Sequence, residues 1–177
     1  MLCMLMTMVD SPEDKRKIEK LYEKYNRLMY VVAYKILKNR EDSEDVVLES
    51  WEKIIKHLDK INIISGQETK SFIVIVVERT AINLYRKNKK KIDNVFSVDE
   101  FEECPFFSTK DKALEHVELY DAMRNLPKGY SNVLVLYYIN GFSCKEIAEI
   151  MNISENAVNK RLSRARKKLG GELNGNE

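Results

Sequence analysis

The stretch SCKEIAEIMNISENAVNKRLSRARKKL, residues 143–169, decides how this chain is read. It opens on Ser143, with Glu146 three positions on, the spacing of a capping box at a helix start. Ile147, Ala148 and Met151 then give a short helix one apolar face. Asn152-Ile153 reads as a tight turn, and Ser154 caps a second helix. Along that helix Val158, Leu162, Ala165 and Leu169 fall at i, i+4, i+7 and i+11, a single stripe to bury. Two short helices joined by a turn of three or four residues make a helix-turn-helix.

Turned outward on the second helix are Glu155, Asn156, Asn159, Lys160, Ser163, Arg164 and Lys167. Amides and arginines can read base edges in the major groove, whereas lysines and hydroxyls serve phosphates. The candidate DNA-contacting set is therefore Ser154, Glu155, Asn156, Asn159, Lys160, Arg161, Ser163, Arg164, Lys167 and Lys168. Arg164 is expected to read a base and Lys168 a phosphate. Between Lys160 and Lys168 lie cations (Arg166 among them) and no acid, a composition suited to phosphate neutralisation. A solvated basic helix end, favoured by the helix dipole, is the plainer alternative. Cap, turn and buried stripes agreeing at once weigh against it.

Working upstream, Leu126-Pro127 starts another helix and Asn140-Gly141 supplies its C-cap chemistry. Residues 112–125 carry Leu114, Val117, Leu119 and Met123 and read as helical. Downstream, Gly170-Gly171 is expected to stop the last helix after about Leu169. Residues 92–111 hold no period, one proline (Pro105) and the acids Asp99, Glu100, Glu102 and Glu103. They follow the basic cluster Arg86, Lys87, Lys89, Lys90 and Lys91, and this reversal of charge marks a linker between two domains.

The N-terminal half is helical by its spacing. Over residues 11–37, Ile18, Leu21, Tyr22, Tyr25, Leu28, Met29, Val32, Ala33 and Ile36 form one stripe, with Ser11 as N-cap and Pro12 at the first position. Residues 43–58 bury Val47, Trp51, Ile54, Ile55 and Leu58, the tryptophan reading as core. Residues 69–91 conflict with themselves. The run FIVIVV at 72–77 has strand propensity, but Phe72, Ile73, Val76, Thr80, Ala81 and Leu84 fit a helical face, and no turn signal follows. Length favours one long helix.

Composition bounds the rest. Of 177 residues, 44% are hydrophobic and 33% charged, with six glycines and three prolines, which fits a helical protein with packed cores. The net charge of +2 leaves only the local placement of charge to indicate partners. Cys3, Cys104 and Cys144 have neither disulfide nor zinc spacing and read as free cytoplasmic thiols. Residues 1–10 read as a tail. Their apolar start lacks a basic flank and is too short to span a bilayer, so neither signal peptide nor membrane insertion is expected.

Residues 126–169, LPKGYSNVLVLYYINGFSCKEIAEIMNISENAVNKRLSRARKKL, resemble DNA-binding domain four of the extracytoplasmic-function group of sigma-70-type factors. REDSEDVVLESWEKIIKHLDKI, from Arg40, resembles the polymerase-binding stretch of domain two. KSFIVIVVERTAINLYRKNKK, from Lys70, resembles the promoter-melting helix that follows it. The resemblance covers nearly the whole chain and implies an all-α protein of two small helical domains joined by a flexible linker. Domain two would occupy residues 11–91 and domain four residues 112–170, with a C-terminal tail at 171–177. Such a factor directs core RNA polymerase to promoters. By the resemblance, Asp45, Glu49, Glu52 and Lys53 dock on the polymerase clamp, and domain four meets the flap. Arg79, Asn83, Tyr85, Arg86, Lys87, Lys89 and Lys90 engage and melt the minus-ten element. The Ser154 helix reads the minus-thirty-five element. An anti-sigma partner is also implied; no cofactor or metal is.

The chain departs from the family pattern at three places. Leu48 stands where glutamine is usual, Arg79 (after Glu78) where asparagine is usual, and Asn152 where the turn usually has glycine. Two other functions fit parts of the chain. One is a helix-turn-helix regulator that works without polymerase; residues 43–58 and 69–91 do not read as the ligand or dimerisation domain it would carry. The other is a metal-dependent nucleic-acid enzyme using the four linker acids. His57 and His116 are isolated, and no nucleophile–base pair, phosphate loop or zinc spacing is present.

Overall fold

The computed structural model describes residues 1–92, 122–123 and 125–174, and every regular element among them is helical. They form two compact units, the first built on the helices up to Ile92 and the second on those that follow. The expected acidic linker, with Asp99, Glu100, Glu102, Glu103, Cys104 and Pro105, lies outside the described residues. So do His116 and most of the helix expected over 112–125. No described helix is long and apolar enough to cross a membrane.

The first unit is a bundle of three long helices, α2 (Pro12–Leu37), α3 (Arg40–Ile55) and α4 (Gln67–Ile92), with a short α1 (Leu2–Met6) against α2. The N-terminal segment is thus more than a tail: Leu5 is fully buried, and that anchor holds α1 in place. Ser11 caps α2 as its sequence predicts, its Oγ accepting from the Glu13 N–H at 3.2 Å. Helix α3 begins before the expected Ser43. The Asn39 side chain accepts from the Asp42 N–H at 3.0 Å and caps the helix there, leaving Ser43 buried.

Helix α4 resolves the ambiguous segment. The β-branched run lies inside one continuous helix, and residues 71–78 are all buried. Strand propensity largely measures fit to a half-buried pleated surface. Here α2 and α3 cover the segment, so tertiary packing overrides local preference. Trp51 is fully buried, donates Nε1–H to Asn26 Oδ1 at 3.1 Å, and stacks on Tyr22 with ring centroids 5.8 Å apart. Lys53 Nζ donates to Thr80 Oγ1 at 2.9 Å and Asn88 Nδ2 to Asp42 Oδ2 at 3.4 Å, which sets α3 antiparallel to α4. The loop before α4 is tied to α2: Lys24 Nζ meets Ser65 Oγ at 2.9 Å, and Tyr25 Oη donates to the Ile64 carbonyl at 2.7 Å.

In the second unit, α5 (Lys128–Leu134) runs into a π-helical turn (Val135–Ile139), followed by α6 (Cys144–Met151) and α7 (Glu155–Asn174). Ala122 and Met123 are buried beside a core of Val133, Leu134, Leu136, Phe142, Ile147 and Leu162. The helix start at Pro127 and the stop at Gly141, with φ 70°, match the sequence reading. The expected stop at Gly170-Gly171 does not occur: α7 passes through both glycines to Asn174. A glycine costs a helix about 1 kcal/mol relative to alanine but imposes no steric bar, and no proline follows to end the helix.

Burial raises the Tyr25 phenol above its ordinary value. The neutral form is the one that donates to Ile64. Its contribution is therefore complete below the unfolded tyrosine pKa and is lost as pH rises through the raised folded one. Tyr25→Phe is expected to cost about 1 kcal/mol at neutral pH, lowering the melting temperature of a unit this small by about 4–8 °C. Melts followed by circular dichroism should show this difference shrinking at strongly alkaline pH.

Candidate nucleic-acid interface

The geometry of residues 143–169 is built from local hydrogen bonds. The Ser143 N–H donates to Glu146 Oε2 at 2.7 Å, and the Glu146 N–H returns to Ser143 Oγ at 3.3 Å, closing the capping box of α6. At the other end the Ile153 N–H reaches back to the Ala148 carbonyl at 3.0 Å, and between them Asn152 adopts φ 51°. This is a Schellman-type stop with asparagine in the left-handed position usually given to glycine. Ser154 follows at once, its Oγ accepting from the Ala157 N–H at 3.2 Å. Three residues thus end one helix and start the next.

Burial orients α7. Val158, Leu162 and Ala165 are buried, and Leu169 is half-buried. Ile147 and Ala148 are buried on the inner face of α6. Ser154, Glu155, Asn156, Asn159, Lys160, Ser163, Arg164, Lys167 and Lys168 are exposed, while Arg161 is half-buried. A Cβ on Gly129, at the start of α5, would lie 4.0 Å from Arg161 Nη1. Among the described residues no carboxylate pairs with an α7 cation.

Two cations of α7 have aromatic neighbours that sequence reasoning missed. Arg166 donates Nε–H to Tyr138 Oη at 2.8 Å, and its guanidinium carbon lies 5.7 Å from the Tyr137 ring centroid and 5.6 Å from that of Tyr138. Those rings meet edge to face, 5.0 Å apart. Lys168 Nζ lies 5.8 Å from the Tyr130 ring centroid. The only signal in the sequence was the tyrosine pair beside a helix boundary, and nothing local links it to a residue 28 positions on.

In the first unit, Asp45 and Glu49 are exposed and Glu52 half-buried on the outer face of α3. Lys53 is held within the protein: its Nζ lies 2.8 Å from Glu49 Oε1 and also donates to Thr80. Leu48 is half-buried. On α4 the unbroken burial stops at Arg79, while Thr80 and Ala81 still face the core. Arg79, Asn83, Arg86 and Lys87 fall at i, i+4, i+7 and i+8 on one face, half-buried except for exposed Lys87. Tyr85, also half-buried, lies on a neighbouring face. The α4 backbone continues through Lys89 and Lys90. Among the described residues, no group of three histidine, cysteine or acidic side chains could hold a metal ion, and Cys3 and Cys144 are free thiols.

Residues 21–91 match the family model for sigma-70 region 2, and residues 116–169 match that for sigma-70 region 4. The chain is 34% identical over 145 residues to the RNA polymerase sigma factor SigV of Bacillus subtilis, covering 81% of this chain and 83% of that one. It is 27% identical over 156 residues to the ECF RNA polymerase sigma factor SigM of the same organism, covering 86% of this chain and 92% of the relative. To SigW, another ECF factor of that organism, identity is 26% over 160 residues, 84% of each chain.

The turn between α6 and α7 depends on Asn152. Asn152→Gly should leave thermal stability within about 0.5 kcal/mol, since glycine takes a positive φ freely. Asn152→Val, β-branched, should lose at least the 1–2 kcal/mol that the left-handed conformation costs ordinary residues. Equal melting temperatures for the two variants would show that the turn relaxes to another conformation.

Proposed function

Because the chain belongs to the extracytoplasmic-function group of the sigma-70 family, and is thereby a promoter-specificity factor of RNA polymerase, we propose that its two units divide one promoter between them. In this reading α7 enters the major groove of the minus-thirty-five element. The carrying observation is its outward face, where Asn156, Asn159, Lys160, Ser163, Arg164 and Lys167 are all exposed on a helix capped at Ser154. Amides and Arg164 suit base edges, and the lysines and Ser163 suit phosphates.

The first unit, residues 11–91, takes the minus-ten element. Arg79, Asn83, Arg86 and Lys87 share one face of α4 where it emerges from the core, and the helix carries on through Lys89 and Lys90. Tyr85 offers a ring for stacking on an unpaired base. The arginine at position 79 contacts nucleic acid as a cation, without the base preference of an amide. On α3 the exposed acids Asp45 and Glu49, with Glu52, form the polymerase-docking face. Lys53 holds α3 to α4 rather than offering its charge outward. The second unit, assigned residues 112–170, works while tethered, so its own affinity for DNA can be modest. The chain acts by binding rather than by catalysis, in the cytoplasm, and an anti-sigma partner would compete for the α3 and α7 faces.

The test is retention on core polymerase followed by transcription in vitro with mapping of the start sites. Wild type should co-elute with core and select discrete starts; failure to bind core would leave the regulator reading in its place. Arg164→Ala should weaken promoter binding by about 1–3 kcal/mol and relax preference at one base position. Lys167→Ala should weaken all sequences alike.

A further inference from the structure

We infer that the basic run of α7 is split by function: Lys160, Arg164, Lys167 and Lys168 face promoter DNA, whereas Arg166 is a positioning residue that braces the helix on the π-helical extension of α5. The inference rests on the proposed role of α7 and deepens it. Read as sequence, Lys168 belongs with the phosphate contacts. In the structure it keeps that place, whereas Arg166 sits over two rings and is fixed in direction by its bond to Tyr138 Oη.

Helix geometry explains the division. Successive residues turn by about 100°, so Lys160, Arg164, Lys167 and Lys168 at i, i+4, i+7 and i+8 share one side. Arg166 lies about 100° round the helix from Lys167, on the side away from Lys168, and meets Tyr137 and Tyr138 there. The π-helical turn supports the arrangement independently. Its i to i+5 bond, from the Asn140 N–H to the Val135 carbonyl at 3.0 Å, marks the segment that carries Tyr137 and Tyr138. Such turns are rare and frequently occur at functional sites. Tyr138 remains 59% exposed, an unusual place for a ring unless its hydroxyl and face are in use. Arg166 acts through its neighbours: pinning it fixes the rotation of α7, and with it the directions of Arg164 and Lys167.

The test is equilibrium binding of the holoenzyme, core polymerase with the full chain, to a promoter duplex across a series of potassium chloride concentrations. Lys167→Met should lower the slope of log affinity against log salt by about one, the signature of a lost phosphate contact. Arg166→Met should weaken binding about three- to tenfold with the slope unchanged, the scale of an exposed cation–π contact and its hydrogen bond. Tyr138→Phe should reproduce part of that loss and add nothing to it in the double variant, since the two residues share one interaction. Lys168→Met, on the same side as Arg164, should lower the slope in the same way. A slope reduced by Arg166→Met as much as by Lys167→Met would overturn the split. So would strictly additive losses for Arg166 and Tyr138, or no loss from Arg166→Met. If wild-type holoenzyme binds no promoter, the proposed function fails instead. The brace is then decided by the same double-variant cycle on thermal stability, where additivity would overturn it.

Discussion

A helix can present a polar face to a partner only while the rest of it is held, and burial supplies that hold in both units. On α7 the stripe is Val158, Leu162 and Ala165, all but inaccessible to solvent. Without it the amides and cations of the outward face would have no fixed direction, and no particular groove to fit. On α4 the same constraint is met differently. Residues 71–78 are buried all round, and polar residues collect on one face only from Arg79 onward. The apolar half is a socket that fixes where the basic half begins.

What could be read in advance followed the range of the forces involved. Caps and stops are decided within four residues, so Ser11, the Ser143–Glu146 box, Asn152 and Ser154 all stand where the sequence put them. Two capping residues, Asn39 and Ser43, lie one turn apart at the start of α3, and only tertiary packing decides that the first is used. At 72–77 local preference pointed to a strand, and the helix is chosen by neighbours far away in the chain. Gly170-Gly171 looked like a stop because glycine favours helix ends, yet nothing downstream enforces one.

The candidate interface divides in the same way. Exposure along α7 follows from helical period alone and was legible. What each cation touches is a matter of tertiary pairing. Lys168 over Tyr130, Arg166 on Tyr138 and Lys53 on Thr80 join residues 27 or more positions apart, with no local pattern to announce them. Charge could be counted from the sequence; the share of it already engaged could not.

The links between α3 and α4 have a mechanical meaning. One cross-link between two rods leaves a pivot, whereas two at separate heights prevent both swinging and sliding. Lys53 to Thr80 and Asp42 to Asn88 are such a pair, placed toward opposite ends of α3. The two helices then work as the jaws of a locked calliper. Whatever seizes the outer side of α3 sets the reach of the α4 tip at the same moment, with no separate adjustment required.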